Sequence, residues 1–529
     1  MSRGRTGWLL AYAVSTFLSF PHPVAGRVID LGLVFGWIGP PCLLLAVSGL
    51  SVRRAAAAGF VAGWLAHAAI LHWIYHVTVV YGHAPVFVGY LAPAALALYL
   101  AAFPALFAAA WVAVRARPVW RPFVAAAIWV VTDQLRASAL TGFPWATLGY
   151  AQHLNEALLP IAAFTGVYGL SFVTVLGGVG ALEALRARGR RGTWLAPTVV
   201  VLIHGLGLWP PPPPGADAPR IRLAVLQGNI DQGVKWSPEW ADRTLAIYER
   251  LTRRAAAAGA ELVVWPETAV PGALNRSPTT RDRLGALSLE TGATLVVGAV
   301  AVEEKPPEAR RPGASPWRFY DSAFVLEGDA VTSRYEKAHL VPFGEYVPLR
   351  ALVGHFFQAV ARGIADDNVT RGSGPRALEL GLPGISEPVT VGVPICYELV
   401  FPDLVRRFVH DGAGVLLALT NDAWYGRTGA PYQFLAMSAV RSAENRVWMA
   451  RAANTGVSAI IDARGRVRDR TAIFEEGFLV ADVPVLSPPA GGTYYSRHGD
   501  RFARACWLAG FVALAASRRR GRGKEEENR

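Results

Sequence analysis

The chain has 529 residues, of which 52% are hydrophobic and only 17% charged, and its formal net charge is +13. An average soluble protein carries about 25% charged residues, so a uniformly soluble fold is excluded, as are a disordered and a collagen-like chain. Basic residues that bind nucleic acid cluster on one folded face. Here they stand at the ends of apolar segments, which excludes nucleic acid as a partner. Only four lysines, Lys235, Lys305, Lys337 and Lys524, occur among 52 basic residues, which makes each of them informative. Three cysteines, Cys42, Cys396 and Cys506, cannot build a disulfide framework.

A membrane-spanning helix needs about 20 apolar residues. Residues 31–52 contain no Asp, Glu, Lys or Arg, and residues 55–114 continue without any, enough for two spans with a turn near His83-Ala84-Pro85. Residues 157–182 and 193–209 supply two more, and weaker candidates at 6–20, 122–141 and 505–517 bring the expectation to eight spans. Cytoplasmic loops carry an excess of Lys and Arg. Arg3 and Arg5, Arg53 and Arg54, Arg115 to Arg121, Arg186 to Arg191, and Arg518 to Arg522 mark every second connection as basic. Both termini are then cytoplasmic, and residues 210–500 lie on the outer side, in a bacterium the periplasmic face of the inner membrane.

Three features of this half have alternative readings. Arg3, Arg5 and Pro23-Val24-Ala25 could also belong to a cleaved signal peptide, although no clear small-x-small site is present. Asp133 and Arg136, one helical turn apart, can pair with each other. His67, His72 and His76 could face one way as metal ligands, but no other donor supports them and no metal is expected.

Pro210 to Pro214 form a stiff spacer. The expected division is a seven-span domain at 1–209, a linker at 210–218, an outer domain at 219–484, a return segment with the last span at 485–517, and a charged tail at 518–529. After the linker, short β-branched runs alternate with amphipathic helices, the mark of an α/β domain. Strands are predicted near 221–226, 261–265, 293–302, 319–327, 330–336, 388–395, 414–420, 448–453, 457–462 and 477–482. Helices are predicted near 240–258, 278–291, 399–409 and 431–446.

Three predicted strands end in reactive groups. Glu267 follows 261–265, where burial can raise a carboxylate towards a general base. Lys337 ends 330–336, and Cys396 ends 388–395, at a turn whose following helix would favour thiolate and whose N–H groups could hold an oxyanion. Each alone has a structural reading: a buried cysteine, a capping glutamate, a surface lysine. The order Glu, Lys, Cys at three strand ends resembles the nitrilase superfamily. Longer motifs are more specific: Gln227-Gly228-Asn229-Ile230 with Lys235-Trp236, Trp265-Pro266-Glu267-Thr268, Pro342-Phe343-Gly344-Glu345-Tyr346-Val347-Pro348, Asn421-Asp422-Ala423-Trp424-Tyr425-Gly426 and Asn454-Thr455-Gly456-Val457-Ser458. Together with Thr141-Gly142-Phe143-Pro144-Trp145 and Leu148-Gly149-Tyr150 in the apolar half, they resemble the apolipoprotein N-acyltransferase family over nearly the whole chain. Departures are local: Gly429-Ala430-Pro431-Tyr432-Gln433-Phe434 lacks a histidine after its glutamine, and Val447 follows Arg446 where proline is common.

The resemblance implies a multi-span α-helical membrane domain joined to an α/β nitrilase-like domain, an αββα sandwich. It also implies acyl transfer from a membrane phospholipid to the α-amino group of the S-diacylglyceryl cysteine of an apolipoprotein, through a thioester on Cys396. Glu267 would act as base and Lys337 would stabilise the oxyanion, supported by Glu345, Tyr397 and Glu398. Trp236, Phe343 and Trp424 are candidates for lipid contact. No cofactor is expected, and the protein is expected to work as a monomer in the lipid bilayer. The rivals are a membrane-tethered amidase, which the Glu, Lys and Cys alone cannot separate, and a receptor or transporter, for which the internal repeat is missing.

Overall fold

The computed structural model describes residues 3–187, 191–209, 218–235, 237–310, 315–346, 369–486 and 492–527. Trp236, nearly all of the proline-rich linker and the Val347-Pro348 end of one motif lie outside the described residues.

Among the described residues, eight long helices form the apolar half: α1 (Arg3–Leu18), α2 (Gly32–Val47), α3 (Val52–Ile70), α4 (Val86–Ala113), α5 (Arg121–Ser138), α6 (Val167–Arg186), α7 (Leu195–Gly207) and, from the far end of the chain, a helix at Arg501–Glu527. Three stretches, Val86–Ala113, Arg121–Thr141 and Val167–Arg186, are long and apolar enough to cross a membrane by themselves. Contact between α3 and α4 depends on small residues. A Cβ at Gly59 would lie 2.6 Å from the Pro104 carbonyl oxygen, and one at Gly63 would lie 2.8 Å from the Pro104 ring, the close backbone approach that lipid-embedded helices use. Asp133 and Arg136 do pair, at 3.1 Å. His67 and Thr147 complete the Arg136 environment at 3.2 and 3.1 Å, and Ser171 donates to Asp133 at 2.9 Å.

One predicted span is broken. In place of a single helix over 157–182, α6 begins at Val167 and is preceded by the short helix Ala162–Thr165. Gly166 between them has φ +63°, and its missing side chain makes room for the Tyr495 ring.

The outer domain contains two sheets. In the first, β1 (Arg220–Gln227), β2 (Leu262–Val264) and β4 (Thr294–Glu304) run parallel, with β3 (Val270–Ala273) also on β4. Strands β5 (Trp317–Glu327) and β6 (Ala330–Glu336) continue the sheet antiparallel, and β13 (Gly477–Pro484) flanks β1. The second sheet runs β12 (Val467–Arg470), β11 (Ala459–Ile461), β10 (Trp448–Ala453), β9 (Val415–Thr420), β8 (Val389–Gly392), β7 (Leu378–Leu380), with the central β8, β9 and β10 parallel. The period of two along a strand explains the layering. Ile221, Leu223 and Val225 face the second sheet, whereas Ala224 and Leu226 pack with Leu245, Tyr248, Leu284 and Leu287 of α8 (Pro238–Ala257) and α9 (Pro278–Thr291). Helices α10 (Pro402–His410) and α11 (Ala430–Asn445) cover the second sheet, which completes an αββα sandwich. The helix at Arg501–Glu527 is α12.

The two halves share one core. Phe20, Leu71, Leu158 and Tyr168 of the apolar half belong to the same buried cluster as Phe401, Phe434 and Val440. Helix α11 lies in this seam, and polar bonds cross it there. Trp145 donates to Gln433 at 2.8 Å, Arg441 to the Tyr150 hydroxyl at 2.9 Å, and the Val167 N–H to Glu444 at 2.7 Å.

Candidate active site

The residues predicted at three strand ends meet beside the seam. After β2, Trp265 is buried against Tyr248, with ring centroids 4.9 Å apart, and the chain turns through Pro266-Glu267-Thr268. Thr268 has φ +47°. The Lys235 ammonium holds this turn by donating to the Glu267 carbonyl oxygen at 3.1 Å and to Thr268 Oγ1 at 2.7 Å. Gly298 on β4 lets the turn pass close, since a Cβ there would lie 2.7 Å from Glu267 Cα and run into the Pro266 carbonyl oxygen.

Lys337, at the end of β6, is 1% exposed. Its Nζ donates to Glu267 Oε1 at 3.0 Å, Glu345 Oε1 at 2.6 Å and Asp321 Oδ2 at 3.3 Å. The other Glu345 oxygen accepts the Val341 N–H at 2.7 Å, which closes the 341–346 turn onto the site. Acceptor oxygens of Glu267, Asp321 and Glu345 all lie within 4.8 Å of one another. Three carboxyls this close could hold a metal ion, but the Lys337 ammonium bonds to all three. Of the histidines considered as ligands, His67 bonds with Arg136 and the Gly63 carbonyl, and His72 with the Ala69 carbonyl, while the His76 ring meets the edge of Tyr81 at 5.6 Å.

Cys396 is buried, and its φ of +48° places a non-glycine residue in the left-handed region, a strained conformation typical of functional turns. The predicted helix does not follow directly. Residues Cys396–Val400 make a 3₁₀ turn and α10 starts at Pro402, where proline fits the first helical position. Glu398 braces this turn. Its carboxylate accepts from the N–H groups of Ile395 (2.8 Å), Ala338 (2.6 Å) and His339 (3.2 Å) and from the Tyr335 hydroxyl (2.8 Å), tying the cysteine turn to the lysine strand. Tyr397 packs against Phe401 and His339, with ring centroids 5.1 and 5.8 Å away.

The electrostatics correct two expectations. Burial pushes the Glu267 carboxyl up, as anticipated, but Lys337, with Asp321 and Lys235, pulls it below the usual carboxylate range. Burial also acts on Cys396 and, with the Glu267 charge, holds the thiol well above its ordinary value against the pull of Lys337. The resting cysteine is a thiol, and the helix that was expected to favour thiolate begins too late to do so. Burial pulls Lys337 down, yet Glu267, Glu345, Cys396 and Asp321 raise it well above the ordinary lysine range. Burial leaves Glu345 above and Asp321 well above the usual carboxylate range, and it pushes Lys235 down to about 8.

Of the candidates for lipid contact, Phe343 and Trp424 are partly exposed at 47% and 37%. Trp424 meets the edge of Tyr81 at 5.7 Å, and the next residue, Tyr425, packs on Trp73 and Trp145 of the apolar half at 4.9 and 6.0 Å. Asp321 and Lys235 were not foreseen as site residues. For Lys235 the signals available were the scarcity of lysine and its place in the Lys235-Trp236 motif, and Asp321 in mid-strand gave none.

Two family models match. Residues 13–180 fit the apolipoprotein N-acyltransferase N-terminal domain, and residues 222–486 fit carbon–nitrogen hydrolase. The apolipoprotein N-acyltransferase of Geobacter metallireducens is 38% identical over 512 residues, covering 94% of this chain and 92% of that one. The Vibrio vulnificus protein of the same name is 31% identical over 503 residues, covering 91% and 92%. An amidase from Nesterenkonia sp. matches 54% of this chain and 95% of its own at 19% identity, with a TM-score of 0.38. With an acidic, a basic and a nucleophilic residue gathered at strand ends under an apolar helical half, and with relatives matched along nearly their full length, the chain belongs to the apolipoprotein N-acyltransferase family.

Proposed function

We propose that this protein transfers an acyl chain from a membrane phospholipid to the α-amino group of the N-terminal S-diacylglyceryl cysteine of an apolipoprotein. The observation that carries the reading is the buried Glu267–Lys337 pair beside the Cys396 thiol, next to the helices of the membrane domain. Glu267, ionised in the resting state, takes the thiol proton, and Cys396 Sγ attacks the phospholipid ester carbonyl. Lys337 and backbone N–H groups at the cysteine turn stabilise the oxyanion. The ester C–O bond breaks, Glu267 returns the proton to the leaving lysophospholipid oxygen, and a thioester remains. The lipoprotein amine then attacks the thioester, Glu267 accepts its proton, and the thiol is regenerated, giving ping-pong kinetics.

Glu345 and Glu398 hold Lys337 and the cysteine turn in place, and Tyr397 shapes the wall beside the nucleophile. Phe343 and Trp424, with Trp236, contact the lipid chains. The arginine pattern supports seven spans before the outer domain and one after it, with both termini cytoplasmic and the catalytic domain in the periplasm of a bacterial inner membrane. The protein acts there as a monomer. Both substrates keep acyl chains in the bilayer, and exposing them would cost about 0.8 kcal/mol per CH₂, so the reaction is expected at the membrane; the long motifs outside Glu267, Lys337 and Cys396 favour acyl transfer over a membrane-tethered amidase. Mass spectrometry tests the reading: wild type incubated with phospholipid alone is expected to carry an acyl mass on the Cys396 peptide, and Cys396→Ser to N-acylate no diacylated lipopeptide. Full activity of Cys396→Ser would sink the covalent route.

A further inference from the structure

Inside the site, carboxyl oxygens of Glu267 and Asp321 lie within 4.8 Å of each other, and both side chains accept from the Lys337 ammonium. Both are buried, and two carboxyls held this close disfavour joint ionisation, so the pair is suited to holding one proton. Asp321 reaches the site from the middle of β5 and is 7% exposed. The groups facing it are Glu267 from the turn after β2, Lys337 from the end of β6 and Glu345 from the 341–346 turn, with Lys235 beyond them. Its Oδ2 accepts from Lys337 at 3.3 Å, while its buried Oδ1 has no donor among the described groups.

We propose that Asp321 is a positioning residue that keeps this proton throughout turnover and donates it as a hydrogen bond to Glu267, so that Glu267 remains the ionised base aimed at Cys396. The assignment of the proton follows from the contacts. Glu267 sits closer to Lys337, at 3.0 Å against 3.3 Å, and also feels Lys235, so ionisation is best tolerated there. Two adjacent buried carboxyls cannot both ionise, and burial holds Asp321 well above the usual carboxylate range while Glu267 lies below it. The proton on Asp321 is never transferred. The proton that moves is the one from Cys396 to Glu267 and on to the leaving oxygen. Loss of the Asp321 proton would place a second negative charge against Glu267 and remove its donor, so activity falls on the alkaline side.

The proposal rests on the acyl-transfer reading, and its test separates the two. Asp321→Asn reproduces a protonated aspartate, with an amide donor for Glu267 and a carbonyl acceptor for Lys337. In the full-length protein in lipid nanodiscs, acylation of Cys396 is followed from about pH 6 to about pH 9. Asp321→Asn is expected within about threefold of wild-type kcat at neutral pH, with KM unchanged and the alkaline fall-off lost. Asp321→Ala is expected to lose about thirtyfold or more in kcat at unchanged KM. Infrared difference spectra of the resting proteins should show a carboxylic acid C=O band in wild type that Asp321→Asn lacks, a reading that needs no turnover and survives if Asp321→Ala does not fold. Coincident alkaline limbs for wild type and Asp321→Asn, an Asn variant as impaired as the Ala variant, or no difference in the acid band would overturn the proposal. Failure of wild type to form any acyl-Cys396 would instead overturn the acyl-transfer reading.

Discussion

Glu398 reacts with nothing in the proposed chemistry, yet it receives four donors, three from backbone N–H groups and one from Tyr335. A glutamine there would turn an NH₂ group towards some of those donors, at a cost of about 2 kcal/mol for the groups left unsatisfied. Glu398→Gln is therefore expected to lower the unfolding midpoint. The loss should depend on pH. Burial pushes the Glu398 carboxyl from its ordinary value up to about 7, so the folded protein binds the proton more tightly than the unfolded chain. Its contribution is then fully present at pH below the unfolded value and fades as pH rises towards 7. The stability gap between wild type and variant is largest in mild acid and narrows towards neutrality. A gap that widened with pH would contradict this assignment, and thermal melts across a pH series would show it. At this scale the sequence was readable where a residue type is rare or ends an apolar run, as with Lys337 and Cys396. Asp321 was not readable. It lies between Tyr320 and Ser322 like any polar strand residue, and neither the proton it holds nor its approach to Glu267 has a pattern along the chain.

Among the elements, the turn after β2 is held from two sides, by the Lys235 ammonium and by the absence of a side chain at Gly298. Gly298→Ala would force a methyl group into the Pro266-Glu267 backbone, an overpacking cost of about 1–3 kcal/mol. The expected result is a drop in kcat of about tenfold or more with a smaller effect on KM, because the proposed base moves while the surface proposed to contact lipid does not; unchanged kcat would show that the turn absorbs the methyl. The longer strands and helices of the sandwich fall where their periodicity placed them. Strands β3, β7 and β12 escaped because three or four residues such as Leu378–Leu380 or Val467–Arg470 are too short to show a period of two. The break at Gly166 escaped because hydropathy registers apolar content and not backbone direction. Helix α10 starts later than expected because Cys396–Val400 tighten into a 3₁₀ turn.

For the molecule as a whole, α11 decides how the halves depend on each other. A helix buried on nearly every side, with Gln433, Arg441 and Glu444 among its fully buried residues, has one face for the sheet and another for the membrane domain. Arg441 and Glu444 pair at 3.2 Å within this seam. Removing one member leaves an uncompensated buried charge, at a cost of about 3–5 kcal/mol. Arg441→Met is thus expected to melt well below wild type in detergent, with Arg441→Met plus Glu444→Gln recovering part of the loss; equal losses for the single and double variants would argue against coupling. The excised residues 219–484 would expose the membrane-facing side of α11 and are expected to aggregate or to turn over phospholipid far more slowly than the intact chain, which a side-by-side acylation assay would reveal.

The shared core also sets an altitude. Because the sandwich and the helical bundle share one buried core among the described residues, the structure holds the Cys396 sulfur at a set height relative to the apolar helices. A bilayer presents its ester bonds in thin strata, one glycerol position slightly deeper than the next. Under the proposed acyl transfer, an enzyme mounted in this way would act as a depth gauge, and its choice between the two ester positions of a donor lipid is expected to follow bilayer thickness more closely than headgroup chemistry.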